Sequence, residues 1–568
     1  MTVSGAVPTA DETDACYRAV EVLCAQRGIS HSRLPSANQS YLGVQVRGAN
    51  RSWDLEVDCG SEALTHLPHV RLRNPAEHRA HVGYHGTVCI SDNQGLSLDP
   101  GRRSDLVAFA VGAAYDLLEK WDASPLGNEV EFYNELEGYW LGLPDSVRAR
   151  AAMEVDAKDR LLSVYHDAKG TPTNWYFAEQ HTKPALRAEL KNLAPHRALY
   201  VHLDRPIAPP LHPHKLETDF LGKVQAALSP GQKELWVRLL GPSKNSPKRL
   251  ALLLSVPRSA GGLSVIGVVF WARDGEVDPK AAVTPLTVRR HSTAYMRERG
   301  GASLDLYGKH IVILGCGAVG GVVADLLASA GVGRLTLVDG DCYSEDNVFR
   351  HILEPLWVDV PKVVGLKYEL ERHYPGLNVT AYPGWAQQWL KSASFDEVDA
   401  VVVALGLPTL ERSINRALRK VTKRVPILFT WLEPLDLGGH SVVVWSEGEG
   451  CLDCLYRDDE GASALQCRTA FLEPNQAVSK NLTGCSSVFV PFGALQARRT
   501  ALQAVEHLLC AMTGEPGGSY CFWVGEGRAA AEQHLRTTPW WSEARSVPFA
   551  EATRRVFGPP CRRCRPRT

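Results

Sequence analysis

The chain has 568 residues, too many for a single hydrophobic core, so it is expected to divide into units of ~100–200 residues each. Its 62 basic residues nearly balance 63 acidic ones, and 45% of it is hydrophobic. That is the composition of an ordinary globular protein without the basic excess that phosphate-backbone binding needs, and it argues against nucleic acid as a direct partner.

Residues 1–130 read as a small α+β unit. A helix is expected over Ala10 to Gln26, strands over Tyr41 to Val46, Trp53 to Val57 and Val70 to Arg73, and a closing helix over Leu106 to Trp121 with Ser104 and Asp105 as caps. Between the last strand and that helix lies a segment holding His81, His85, Gly86 and Cys89. Residues 131–290 read as a mixed α/β linker with alternating apolar runs and a Pro-rich loop, Arg205 to Pro213. The longest apolar region, Leu250 to Trp271, is broken by Pro257, Arg258, Gly261 and Gly262, so it reads as two strands and a turn rather than a membrane span. The opening residues carry no basic segment followed by an apolar run, so a cytoplasmic protein is expected. Its 14 cysteines are accordingly read as thiols and metal ligands.

Residues 291–568 alternate strands with helices, the pattern of a Rossmann-like, mostly parallel sheet covered on both faces. Strands are expected at His310 to Leu314, Arg334 to Asp339, Val379 to Tyr382, Ala400 to Leu405 and Pro426 to Trp431. The first runs into Gly315-Cys-Gly317-Ala-Val-Gly320 and a helix, a layout that lets backbone amides approach phosphates, and Asp339 follows at ribose-binding distance along the chain. A dehydrogenase would show the same two features. Asn347, Arg350 and Lys362 come next, and cations there suit a reacting triphosphate rather than a nicotinamide.

With these residues in order, the region resembles the adenylation domain of ThiF/MoeB-type adenylyltransferases and ubiquitin-activating enzymes. The resemblance implies ATP as substrate, Asp339 on the ribose, and Asn347, Arg350 and Lys362 on phosphates. It also implies magnesium held by an aspartate after the fourth strand. Gly406 occupies that position, which leaves Asp341 or another acid for the role. The family is commonly dimeric, and the Arg290 to Arg297 segment, with Tyr295 and Arg297, is where an arginine would reach a partner's site.

Cys451-x-x-Cys454 and Cys561-x-x-Cys564 form two knuckles suited to a tetrahedral zinc site, which the resemblance makes structural. Cys485 precedes an apolar helix expected to begin near Pro491, where a helix dipole favours the thiolate; the family's acyl-accepting cysteine lies in the matching loop, with Cys467 as the rival. The Cys89 segment resembles the active-site turn of ubiquitin-conjugating enzymes, although the His-Pro-Asn that usually precedes it is absent. A conjugating-like domain, a linker and an activating-like domain in one chain resemble the fusion enzymes of antiphage CBASS operons and of ubiquitin-like operons. That likeness implies that a partner's C-terminal carboxylate is activated, passed through Cys485 and Cys89, and joined to a target amine. A cGAS-like nucleotidyltransferase is the favoured partner and a ubiquitin-like protein the alternative; a sulfur-carrier adenylyltransferase and a non-catalytic nucleotide sensor are the rival readings.

Overall fold

The computed structural model describes residues 8–36, 39–60, 66–166, 174–180, 196–241, 247–457, 462–482, 488–514, 517–548, 557, 561 and 564. The chain forms two compact units, Met1–Ser292 and Thr293–Thr568.

The first unit opens with α1 (Ala10–Arg27), started by a Thr9/Glu12 capping box and stopped by Gly28 in the left-handed conformation. An antiparallel meander follows: β1 (His31–Leu34), β2 (Tyr41–Arg47), β3 (Ser52–Asp58), β4 (Val70–Leu72) and β5 (Thr87–Val88). Alternating residues such as Leu42, Val44, Val46, Leu55 and Val57 face α1 and α2 (Arg103–Asp122) to make one core. The helix start differs from expectation. Asp99 caps a 3₁₀ turn at Pro100–Arg102 that leads straight into α2, so Ser104 and Asp105 lie inside the helix, where Asp105 pairs with Arg102. Two short helices, α3 (Pro125–Asn134) and α4 (Leu136–Leu141), follow.

Eight strands then share a second sheet: β6 (Val147–Ala151), β7 (Arg160–His166), β8 (Asn174–Glu179), β9 (His196–His202), β10 (Lys248–Pro257), β11 (Leu263–Arg273), β12 (Glu276–Val277) and β13 (Thr284–Arg290). Among the described residues the order is β10-β9-β7-β8-β6-β13-β11-β12, and β11 also pairs with β10, so seven strands close into a barrel. The apolar run at Leu250 to Trp271 is its β10–β11 hairpin. Side chains of one parity, among them Ala149, Leu162, Phe177, Tyr200, Leu253 and Leu286, fill the interior. Those of the other parity, such as Leu199, Leu252, Leu254 and Phe270, pack outwards with α4, α5 (Thr218–Ala227) and α6 (Pro230–Leu240).

The second unit begins with α7 (Thr293–Arg299) and continues through β14 (His310–Leu314), α8 (Ala318–Ala330), β15 (Arg334–Val338), α9 (Lys362–His373), β16 (Asn378–Tyr382), α10 (Ala386–Ser392), β17 (Ala400–Val403), α11 (Pro408–Leu418), β18 (Pro426–Leu432) and β19 (Gly438–Trp445). A small ribbon, β20 (Lys480–Asn481) with β21 (Val488–Phe489), precedes α12 (Ala494–Thr513) and β22 (Ser519–Val524). The sheet order is β16-β15-β14-β17-β18-β19-β22, parallel through β18 and antiparallel beyond it. Near-continuous apolar strands such as Ile311 to Leu314 and Val401 to Val403 are buried on both faces, as a covered parallel sheet requires. The chain leaves β14 for β15 on one side and reaches β17 on the other. The carboxyl end of β14 is therefore the switch point where such sheets bind ligands.

Candidate functional site

At that switch point the backbone is packed too tightly for side chains. Gly315 has φ +90, and a Cβ there would lie 2.7 Å from the Ala404 carbonyl oxygen; a Cβ on Gly320 would lie 1.8 Å from that of Gly315. These two glycines let α8 start against the strand ends, with its first amides turned to the ligand side. Gly317 is under no such pressure, having nothing within 4 Å of an added Cβ.

Asp339 holds the turn from the next strand. Its carboxylate accepts the Cys316 amide at 2.7 Å and the Asp341 amide at 2.8 Å. His351, one residue after Arg350, completes the frame. Its Nδ1 accepts the Leu353 amide, so the proton sits on Nε2 and is donated to the Cys316 carbonyl at 2.8 Å. Burial lowers its pKa, keeping it neutral.

The cations expected on phosphates are arranged unequally. Lys362, at the start of α9 and nearly buried, pairs with Asp341 at 3.0 Å. Arg350 lies over the Phe492 ring at 5.1 Å with no carboxylate partner among the described residues. Asn347 turns its carbonyl oxygen back on the Ser344 amide and hydroxyl, at 3.3 Å each.

Gly406 has φ +65, and its amide donates to Glu411 at 2.9 Å. Glu411, from the first turn of α11, is buried, and desolvation pushes its carboxyl up to about 7 despite amide donors from the Leu405 to Leu407 turn. Its carboxylate accepts from the very residue that stands in place of the missing aspartate, and sequence reading missed it. The only signal was an acid opening the helix after β17.

The Arg290 to Arg297 segment does not extend an arginine outwards. Arg290 pairs with Glu137 at 2.6 Å within the first unit. Arg297 is buried in the second, donating to the Gly331 carbonyl and stacking on Tyr307. The guanidinium is held on its own domain's helix end instead.

The four knuckle cysteines are buried together, although their pairs are far apart in sequence. Sulfur separations are 3.9 Å for Cys451–Cys454, 3.5 Å for Cys451–Cys561, 3.2 Å for Cys454–Cys564 and 3.7 Å for Cys561–Cys564. Metal–sulfur bonds of ~2.3 Å in a tetrahedron give edges of about 3.8 Å, so these residues fit zinc. Asp453, between the first two cysteines, is held by Arg412 and Arg416 of α11, which fixes the knuckle to the sheet's helical layer.

The thiols differ. Cys485 lies outside the described residues, between β20 and β21. Cys467 is half-buried against the Thr469 hydroxyl at 3.1 Å, and desolvation pushes its thiol up to about 11, a poor state for a nucleophile. Cys89 is exposed, at the end of a tight hairpin. The tip of that hairpin is anchored: Tyr84 is buried in the core outside the barrel and donates to the His214 carbonyl at 3.0 Å. His85 sits at this tip against Tyr84 and His212, and burial lowers its pKa.

Residues 293–518 match the model of the ThiF family. The chain is 29% identical over 218 residues to the ATP-dependent ubiquitin transferase-like protein Cap2 of Pseudomonas aeruginosa, covering 37% of this chain and 38% of that one. It is 27% identical over 308 residues to Cap2 of Escherichia coli, covering 52% and 48%. The molybdopterin-synthase adenylyltransferase of Escherichia coli is 30% identical over 158 residues, covering 28% and 62%. The chain thus spans less than half the length of the two Cap2 relatives. The resemblance read from the motifs is borne out as a likeness to Cap2-type ThiF fusions. No helix among the described residues is long and apolar enough to cross a membrane.

Proposed function

We propose that this chain activates the C-terminal carboxylate of a partner protein with ATP and ligates it to an amine through two successive thioesters. The observation that carries the reading is the turn at Gly315 to Gly320, with Asp339 behind it and Arg350 and Lys362 close by in the chain. The partner's carboxylate oxygen attacks the α-phosphorus of ATP, the acyl-adenylate forms, and pyrophosphate leaves with its charge met by Arg350 and Lys362. Asp339 binds the ribose and Asn347 the phosphates. Asp341 is more than half exposed and has one oxygen on Lys362, so it is suited to hold the magnesium that neutralises the phosphates. Zinc on the four cysteines would pin residues 561–564 to the sheet and take no part in the reaction.

The Cys485 sulfur then displaces AMP, and the Cys89 sulfur takes the acyl group by thioester exchange, so activation is kept while the group changes site. A lysine or other amine receives it last. A cGAS-like nucleotidyltransferase is the proposed partner, in antiphage defence, with a ubiquitin-like protein as the alternative; the working form is a homodimer in the cytoplasm. The units 1–130, 131–290 and 291–568 are proposed as the conjugating, linking and activating parts.

Trapping tests this directly. Wild type, Cys485→Ala and Cys89→Ala are incubated with ATP, magnesium and each partner, then analysed by intact mass with and without thiol reagent. Reducible adducts on both cysteines, with Cys89 loading lost in Cys485→Ala, are expected; an adenylate with no thioester would leave only an adenylyltransferase. Gly406 favours one other reading, a nucleotide sensor, which predicts ATP binding without pyrophosphate exchange.

A further inference from the structure

The hairpin carrying Cys89 brings a second group to its face. The Cys89 amide donates to the His81 carbonyl at 2.7 Å and the Gly83 amide to that of Thr87 at 2.9 Å, around a bridge between Val82 and Val88. His81 and Cys89 are therefore directly opposite one another. Val82 and Val88 are both buried, whereas Cys89 is exposed and the His81 side chain keeps 26% of its surface in solvent, so both groups reach the surface beside this bridge. His85, at the tip, is not the histidine opposite the thiol.

His81 is held with unusual completeness for a loop residue. One oxygen of Glu135 accepts its Nδ1 proton at 3.0 Å, and the other accepts its backbone amide at 3.1 Å. The Trp121 indole stacks on the ring at 6.1 Å, and Glu131 lies 3.6 Å from Nε2. His81 itself takes φ +61, a conformation that only this surrounding support makes reasonable for a non-glycine residue. Nδ1 is committed to Glu135, so the neutral ring presents its Nε2 lone pair on the side where Glu131 lies. Glu131 beside it favours approach of a cationic side chain.

We infer that His81, oriented by Glu135, is the acid–base group for transfer of the acyl chain from Cys89 to an amine, and that Glu131 draws a lysine-like amine to it. The inference rests on the proposed role of Cys89. In the step, the neutral amine nitrogen attacks the thioester carbonyl carbon and the C–N bond forms. Nε2 of His81 takes the proton lost by nitrogen. The C–S bond then breaks with its electron pair on the Cys89 sulfur, which receives that proton back from His81. The thiol so regenerated is the favoured resting state, because desolvation and the charges of Glu135 and Asp92 raise its pKa. Glu135 and Glu131 raise that of His81, with Lys120 opposing them, and Arg258 faces Glu135 from beyond β10.

The test acylates Cys89 of the full chain chemically with a small synthetic thioester, then follows discharge to free lysine at the Cys89 peptide by mass spectrometry across pH. His81→Gly, which tolerates the positive φ, should discharge about 100-fold slower. Added imidazole should restore the rate. Glu135→Gln keeps an acceptor for the His81 amide but removes the charge, so the rising limb of the pH profile should move to lower pH. Wild-type rates in both variants at every pH would sink the inference, as would slow discharge in His81→Gly that imidazole does not restore. Because loading is chemical, a failure here is distinct from a failure of ATP-driven loading through Cys485.

Discussion

The nucleotide turn and the Cys89 hairpin solve the same problem, holding reactive groups still, in opposite ways. At the turn the work is done by backbone: Gly315 and Gly320 bring strand and helix into contact, and Asp339 and His351 fix the intervening amide and carbonyl of Cys316. At Cys89 it is done by side chains from distant places, Trp121 on α2 and Glu131 and Glu135 at α3. A site made of backbone is intolerant of added atoms, whereas a site made of side chains is intolerant of lost ones.

The largest effect expected in the second unit is from the zinc proposed on its four cysteines. Stripping it with a strong chelator, or Cys561→Ser, should destabilise residues 293–568 by on the order of 5 kcal/mol, read by thermal unfolding with and without zinc. Alkylation of Cys89 at pH 7 should be unchanged; a matching change there would break the contrast. Next, Gly320→Ala forces a Cβ onto backbone and should cost about 3 kcal/mol and abolish ATP binding by calorimetry, while Gly317→Ala leaves stability intact.

Glu411 sharpens the comparison through pH. Its folded pKa, about 7, stands above the usual 4.5, so its contribution to stability is fully present below about pH 4.5 and is lost as pH rises through 7. Glu411→Gln should therefore gain on wild type by about 3 kcal/mol between pH 5 and 8 in denaturant titrations, and a pH-independent difference would contradict the assignment. Smallest is Lys362→Ala, expected to slow adenylation about 100-fold in pyrophosphate exchange with little change in unfolding.

Much of the second unit was legible because its signals are local. The strand at His310 to Leu314 and its glycines lie within one short stretch, and the observed β14 has those bounds. What escaped notice depends on pairing across long separations. The β10–β11 hairpin could be read from its broken apolar run, but the parallel pairing of β6 with β13 that helps close the barrel could not. His81 was seen as a neighbour of Cys89, yet nothing in the sequence singled out Glu135 as the residue that clamps it. Arg297 was expected to reach a partner's site because the resembled family is commonly dimeric, whereas Gly331 and Tyr307 offer it a buried berth on its own domain. Glu411 escaped because an acid in a helix's first turn is unremarkable until its burial is known.

The cysteine knot also changes the topology of the chain. Cys451 and Cys561 are 110 positions apart, and once a metal joins them the intervening polypeptide is a closed loop. Closing so long a loop removes ~4–5 kcal/mol of freedom from the unfolded chain. It also means that a protease cutting beside the fully exposed Leu465 would open a ring rather than release a fragment. The two pieces would travel as one particle through a sizing column, held both by the metal and by α12 and β22 in the sheet, and in denaturant they would part only when the metal is withdrawn as well.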